Sequence, residues 1–140
     1  MDAIRIQTSG SKLYEFTSEL RPLANGTGVM TVFVRHTSCS LLIQENADAE
    51  VQTDLQAFFE RLVPPSDDPA MAYLRHTYEG PDDMPAHIKA AMMPVSLAIP
   101  VIDGQLALGT WQGIYLFEHR RHPHLREVAV AMMNSADISA

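Results

Sequence analysis

The chain has 140 residues, of which 46% are hydrophobic and 19% charged; this is the usage of one packed globular domain over 1–140, and it excludes disordered, collagen-like and coiled-coil chains. Cys39 is the only cysteine, so a disulfide scaffold is excluded and a reducing, cytoplasmic setting is expected. The net charge of −7 speaks against a nucleic-acid binder, which needs a basic face. No stretch approaches the roughly 18 apolar residues of a membrane span.

In chain order, Ile4, Ile6 and Thr8 alternate with polar residues, and Leu13 and Phe16 follow a Ser9-Gly10-Ser11 turn, a pattern that predicts an opening β-hairpin. Thr17 to Ala24 is a short helix stopped near Asn25-Gly26. Gly28 to His36 and Ser40 to Gln44 are β-branched or apolar and are expected to form two central strands. Asn46 or Asp48 can cap a helix in which Val51, Leu55, Phe58, Phe59 and Leu62 recur at helical spacing, ending at Pro64-Pro65. A second helix spans Ala86 to Met93, with Pro85 at its start. Val95 to Val101, Leu106 to Leu108, Ile114 to Phe117 and Val128 to Met132 are strand-like, with Asp103-Gly104 as a hairpin turn. Strands outnumber helices and are joined by tight turns. The expected class is therefore α+β, a mainly antiparallel sheet or sandwich with two to three helices.

The excess of acid is local. Glu45 to Asp83 holds ten acids and two bases, which is an ordinary solvated helix and loop unless some of the acids converge on a cation. His76 and His87 flank a segment containing Gly80, Pro81 and Pro85 that must turn, so the two imidazoles can return to one place. Imidazoles are ligands for Zn, Fe, Ni or Mn, and a third ligand from His36, Glu79 or a neighbouring subunit would leave an open position for substrate. The plain alternative is a pair of surface histidines, with Glu79, Asp82 and Asp83 as loop acids. His119, Arg120, Arg121, His122 and His124 are a denser cluster, but two arginines repel a divalent ion, and an anion site or solvated loop fits better. Arg120, near Glu118, is the member expected in a pocket. Cys39 reads as a small buried filler, since positions three apart on a strand place it and His36 on opposite faces. Trp111-Gln112 lies between Gly109 and Gly113, where Gln112 can orient a polar ligand group.

The strings His36-Thr37-Ser38-Cys39-Ser40-Leu41 and Glu45-Asn46-Ala47-Asp48, the run from His76 to Lys89, Gly109-Thr110-Trp111-Gln112-Gly113-Ile114 and Glu118-His119-Arg120 occur in order across nearly the whole chain. Together they closely resemble the YjbQ family, known for secondary thiamine-phosphate synthase activity. Cys39 stands where that family often carries Ala. The resemblance implies a compact α+β protein, a homotrimer with the histidine motifs near a subunit boundary, and a bound divalent metal, Zn or Mg. It also implies a transferase that weakly joins a pyrimidine pyrophosphate to a thiazole phosphate with release of pyrophosphate. Loss of that leaving group needs cationic stabilisation. On this reading His36, His76 and His87 hold the metal, and Lys89 or Arg120 contacts phosphate oxygens. Trp111 and Gln112, with Asn46 and Asp48, contact the substrate, and His36, Glu79 or Glu118 serves the chemistry, a glutamate accepting any proton released. Two other readings use the same residues: metal-assisted hydrolysis of a small phosphate or amide with Glu79 or Asp48 as base, and a metal- or ligand-binding trimer with no turnover.

Overall fold

A computed structural model describes residues 1–137 and contains eight strands: β1 (Asp2–Thr8), β2 (Leu13–Glu15), β3 (Gly28–Val34), β4 (Cys39–Glu45), β5 (Ser96–Ile102), β6 (Gln105–Leu106), β7 (Gln112–Glu118) and β8 (His124–Asn134). They form two antiparallel sheets, one in the order β1-β8-β3-β5-β6 and the other β2-β7-β4. Three helices accompany them: α1 (Thr17–Leu20), continued by a short 3-10 turn, α2 (Ala49–Leu62) and α3 (Asp83–Met92). The architecture is α+β, as the strand-rich pattern implied.

The two sheets face each other across one core, because alternate positions on β3, β5 and β8 are apolar and point the same way. Met30, Val32 and Val34, Ile99 and Val101, and Val128 and Val130 meet Leu41, Ile114 and Leu116 of the smaller sheet, and all are essentially inaccessible. The opposite face of β7 is covered as well. Phe59 of α2 meets Phe117 edge-on at 5.9 Å between ring centroids, and the Gln52 amide donates to the Tyr115 hydroxyl at 2.8 Å. Strand β7 is thus buried on both faces, which is why Ile114 to Phe117 reads as a continuous apolar run.

The structure corrects three expectations. The opening segments do not pair as a hairpin: β1 pairs with β8 and β2 with β7. The Ser9-Gly10 corner hands the chain from one sheet to the other, with Gly10 at φ 126° and the Tyr14 hydroxyl bridging the Ser9 N–H and the Gly10 carbonyl. Of the two supposed central strands only β3 is central; β4 is an edge strand whose Leu41 N–H is taken up by the Pro94 carbonyl at 2.8 Å. Helix α3 begins at Asp83, three residues before the expected Ala86, because a proline in the first turn gives up only an N–H that has no intrahelical partner. Among the described residues, no helix is long and apolar enough to cross a membrane.

Candidate functional site

The early start of α3 builds the site. Asp83 and His87 fall four residues apart on one helical face, and the turn from His76 to Gly80 lays a second imidazole over them. The Nε2 of His76 lies 2.9 Å from Asp83 Oδ2 and 2.9 Å from Glu79 Oε2, while His87 Nε2 is 3.4 Å from the same Asp83 oxygen. Among the described residues, the ligand atoms of His76, Asp83 and His87 form a cluster in which all lie within 4.8 Å of one another.

The outer partners orient both rings. His87 Nδ1 is 2.9 Å from the Thr37 carbonyl, which only accepts, so Nδ1 carries a proton and Nε2 faces Asp83. His76 Nδ1 shares a hydrogen bond of 3.0 Å with the Tyr78 hydroxyl, and the two rings meet edge to face. With Nδ1 of each ring turned to its outer partner, both Nε2 atoms face the carboxylates, where a proton or a cation between ring and carboxylate makes the contact attractive. A backbone carbonyl that fixes a histidine through its far nitrogen is also the usual support for a metal-binding ring.

Arg120 holds this loop in place. Its Nε donates to Asp82 Oδ2 at 3.0 Å, one terminal nitrogen to Asp83 Oδ1 at 2.8 Å and the other to the Glu79 carbonyl at 3.2 Å. Burial alone would raise the Asp82 pKa, but the Arg121 N–H and Arg120 bind its charged form and leave it lowered. With each of its three guanidinium nitrogens engaged, Arg120 positions the acids of the loop, and only the second N–H of each terminal nitrogen is left for another acceptor.

Behind the clamp, Glu118 is fully buried against Arg126 and receives hydrogen bonds from Arg126 Nε at 2.7 Å, the Thr8 hydroxyl at 2.7 Å and the Arg120 N–H at 3.0 Å. Desolvation pushes its pKa up, yet these donors outweigh it and leave it lowered. A carboxylate with both oxygens engaged and its charge favoured is poorly suited to accept a substrate proton, so Glu118 supports the site from behind.

The remaining candidates lie in different places. His36 is outside the cluster; its Nε2 accepts the Glu127 N–H at 2.8 Å, and its pKa is lowered by burial and by Arg126. It does share with His87 the rim of a groove beside α3. Lys89 is buried on the far flank of α3, lining a small cavity with Asp82 and His119, and burial lowers its pKa. Asn46, Asp48, Trp111 and Gln112 are exposed at the other end of the smaller sheet, where Glu45 pairs with Gln112, whereas Cys39 pairs with Glu118 near the cluster. Six residue steps along β4 separate these ends, about 20 Å. Within one protomer these four residues do not meet the histidines. Asp48 accepts the Glu50 N–H at 2.9 Å as the cap of α2, and Gln112 accepts the Gly109 N–H at 2.7 Å. The Cys39 thiol is buried and pushed up to about 12 by desolvation, an inert filler.

Asp83 is the site residue that sequence reading passed over. Its signal was the Asp-x-x-x-His spacing, visible only once the helix is started upstream of Pro85. Arg126 likewise gave no sign, because its partner Glu118 sits on β7 of the other sheet and the pairing depends on how the two sheets stack.

Comparison with known proteins adds the following. Residues 2–135 match the model of a family described as UPF0047 protein YjbQ-like. The UPF0047 protein sll1880 of Synechocystis sp. is 52% identical over 129 residues, covering 89% of this chain and 85% of that protein. The UPF0047 protein YjbQ of Salmonella typhimurium is 44% identical over 106 residues, 76% of this chain and 73% of its own length. In three dimensions the chain resembles the crystal structure of the conserved hypothetical protein TT1486 from Thermus thermophilus, with a TM-score of 0.83 and 30% identity over 95% of this chain and 100% of that one.

Proposed function

Because the chain belongs to the UPF0047 YjbQ-like family, we propose that it is a divalent-metal-dependent enzyme acting on a small phosphorylated substrate, with thiamine-phosphate synthesis of the secondary type as its reaction. The observation that carries this reading is the convergence of His76 Nε2, His87 Nε2 and Asp83 Oδ2, with Glu79 Oε2 at the rim. Two imidazoles and a carboxylate suit Zn better than Mg, which prefers an all-oxygen shell. A bound ion supplies Lewis-acid stabilisation of a departing pyrophosphate. The chain's own residues do the rest. The Thr37 carbonyl and Tyr78 orient the two rings, Arg120 fixes Asp83, and Glu79, half exposed and bonded to His76 through Oε2, is the carboxylate placed to hold a proton beside the cluster. Glu79 in that position also favours the second reading, in which it serves as base for metal-assisted hydrolysis of a phosphate ester.

We assign the working form to a homotrimer in the cytoplasm. Support comes from the outer face of the five-stranded sheet, where Val29, Phe33 and Met133 are exposed side by side with Pro100, Ala98 and Ala129. An antiparallel sheet normally turns a polar face to water, so an apolar outer face fits one that is covered by another copy.

Elemental analysis of untagged protein and calorimetric titration with zinc test the site. One ion per chain is expected, with binding weakened at least about 100-fold in His76→Ala or Asp83→Asn, as for loss of a ligand. Zinc-loaded protein is then assayed for thiamine phosphate from the pyrimidine pyrophosphate and the thiazole phosphate. Formation no faster than with His87→Ala removes the synthase reading, and turnover of a simple phosphoester instead selects the hydrolase.

A further inference from the structure

The chain has three asparagines, Asn25, Asn46 and Asn134, and one Asp-Gly pair, Asp103-Gly104. At each of them the side-chain carbonyl carbon and the main-chain nitrogen of the next residue can close a five-membered ring, provided that nitrogen is free to turn toward the carbon. At three of the four it is held. The Ala47 N–H donates to Glu45 Oε2 at 3.1 Å, the Ser135 N–H to the Thr27 carbonyl at 2.7 Å and the Gly104 N–H to the Gly26 carbonyl at 2.7 Å. The Gly26 N–H has no partner among the described residues. We propose that Asn25-Gly26 is a site of spontaneous covalent modification, at which the folded chain converts Asn25 through a succinimide into aspartate and β-linked isoaspartate.

The local structure favours ring closure. Asn25 and Gly26 are exposed in the loop that leads into β3, and the glycine carries no Cβ to shield its nitrogen. The Asn25 amide is held only by a long contact, its Nδ2 lying 3.4 Å from the Leu23 carbonyl. Nor can the fold dispense with the glycine. Gly26 has φ 59°, and a Cβ there would run into the Asn134 side-chain amide. In the reaction the Gly26 nitrogen attacks Asn25 Cγ, its proton passes through water to the amide nitrogen, and the Cγ–Nδ2 bond breaks with loss of ammonia. Water then opens the succinimide. Cleavage of the new Cγ–N bond gives aspartate, and cleavage of the original peptide bond gives isoaspartate with the main chain rerouted through Cβ and Cγ. One water is consumed, one ammonia leaves and no electrons are exchanged. Because the step is internal and needs only water, it requires neither the cation reading nor an uncovered sheet face. The rerouted segment is the one whose Gly26 carbonyl holds the Gly104 N–H and whose Thr27 hydroxyl accepts the Asp103 N–H at 3.0 Å, so the turn between β5 and β6 is the first structure to loosen.

The test is to incubate the full-length protein at mildly alkaline pH, folded or in urea, and to map its peptides by mass spectrometry. Each conversion adds one mass unit, and chromatography separates the two products. In the folded protein Asn25 is expected to convert well before Asn46 and Asn134, within about tenfold of its rate in urea, since an exposed loop opens at little cost. Amide exchange at Gly104 rises as conversion proceeds. Asn25→Gln, whose longer side chain must close a six-membered ring, is expected to keep both the peptide mass and the Gly104 exchange constant. An Asn25 that stays intact in the folded chain, whether or not it converts in urea, overturns the proposal. So does earlier conversion of Asn46 or Asn134.

Discussion

The His119 imidazole is buried under Phe117, with Nε2 sharing a hydrogen bond of 2.9 Å with the Ser40 hydroxyl and Nδ1 lacking any partner among the described residues. Burial, then the charges of Lys89 and Arg126, hold its pKa down to about 3 from an ordinary 6.5. Between those values the unfolded chain takes up a proton that the folded one refuses, so stability falls as the pH drops through that window. Glu118 acts lower down: its folded pKa is depressed below 4.5, so its contribution is complete above 4.5 and is lost as pH falls through the depressed value. Urea midpoints measured between pH 6.5 and 5 therefore isolate the histidines, and His119→Gln is expected to flatten that limb. An unchanged slope would sink the assignment. At this scale the sequence was only partly legible. The histidines at 76 and 87 could be singled out from the turn between them, but the third donor was hidden by the misplaced helix start. Glu118 and Arg120 were noticed without their partners, because Arg126 reaches Glu118 across the two sheets and Asp82 reaches Arg120 from far upstream in the chain.

Among the elements, α2 was the most legible, since an apolar stripe, an Asp cap and a Pro-Pro stop agree with one another. Its cap also separates structure from ligand binding. Asp48 accepts the Glu50 N–H at 2.9 Å and lies at the far end of the smaller sheet from the histidines. Asp48→Ala should lower the unfolding free energy by about 1 kcal/mol, read from chemical denaturation, and leave zinc affinity at the native value. A drop in zinc or phosphate binding would instead return Asp48 to the site. The strands were readable as strands from their alternation, but their partners were not. Ile4 and Ile6 look the same whether β1 pairs with β2 or with β8, because period-two patterning names a face and is silent about the neighbour.

For the whole molecule, the apolar outer face of the larger sheet is the feature on which the proposed trimer rests. The row Met133, Val29, Pro100 and the row Ala129, Phe33, Ser96 each cross three strands, with few charges between them. Met133→Lys together with Val29→Lys should shift the sedimentation of the protein toward a single chain while circular dichroism keeps the same strand content. A native protein that already sediments as one chain contradicts the trimer. Charge counts across the whole chain gave no hint of this face, since they average an acidic stretch along Glu45 to Asp83, the mixed charges elsewhere and this one apolar patch.

The three-pronged grip of Arg120 on Asp82, Asp83 and the Glu79 carbonyl has a thermodynamic corollary. The segment carrying the donors is already immobilised by a permanent internal counter-charge, so the entropic toll of arranging it is settled when the chain folds. On the cation proposal, a visitor with two positive charges would meet a rigid receptor, and its capture would require no reorganisation of the backbone around it.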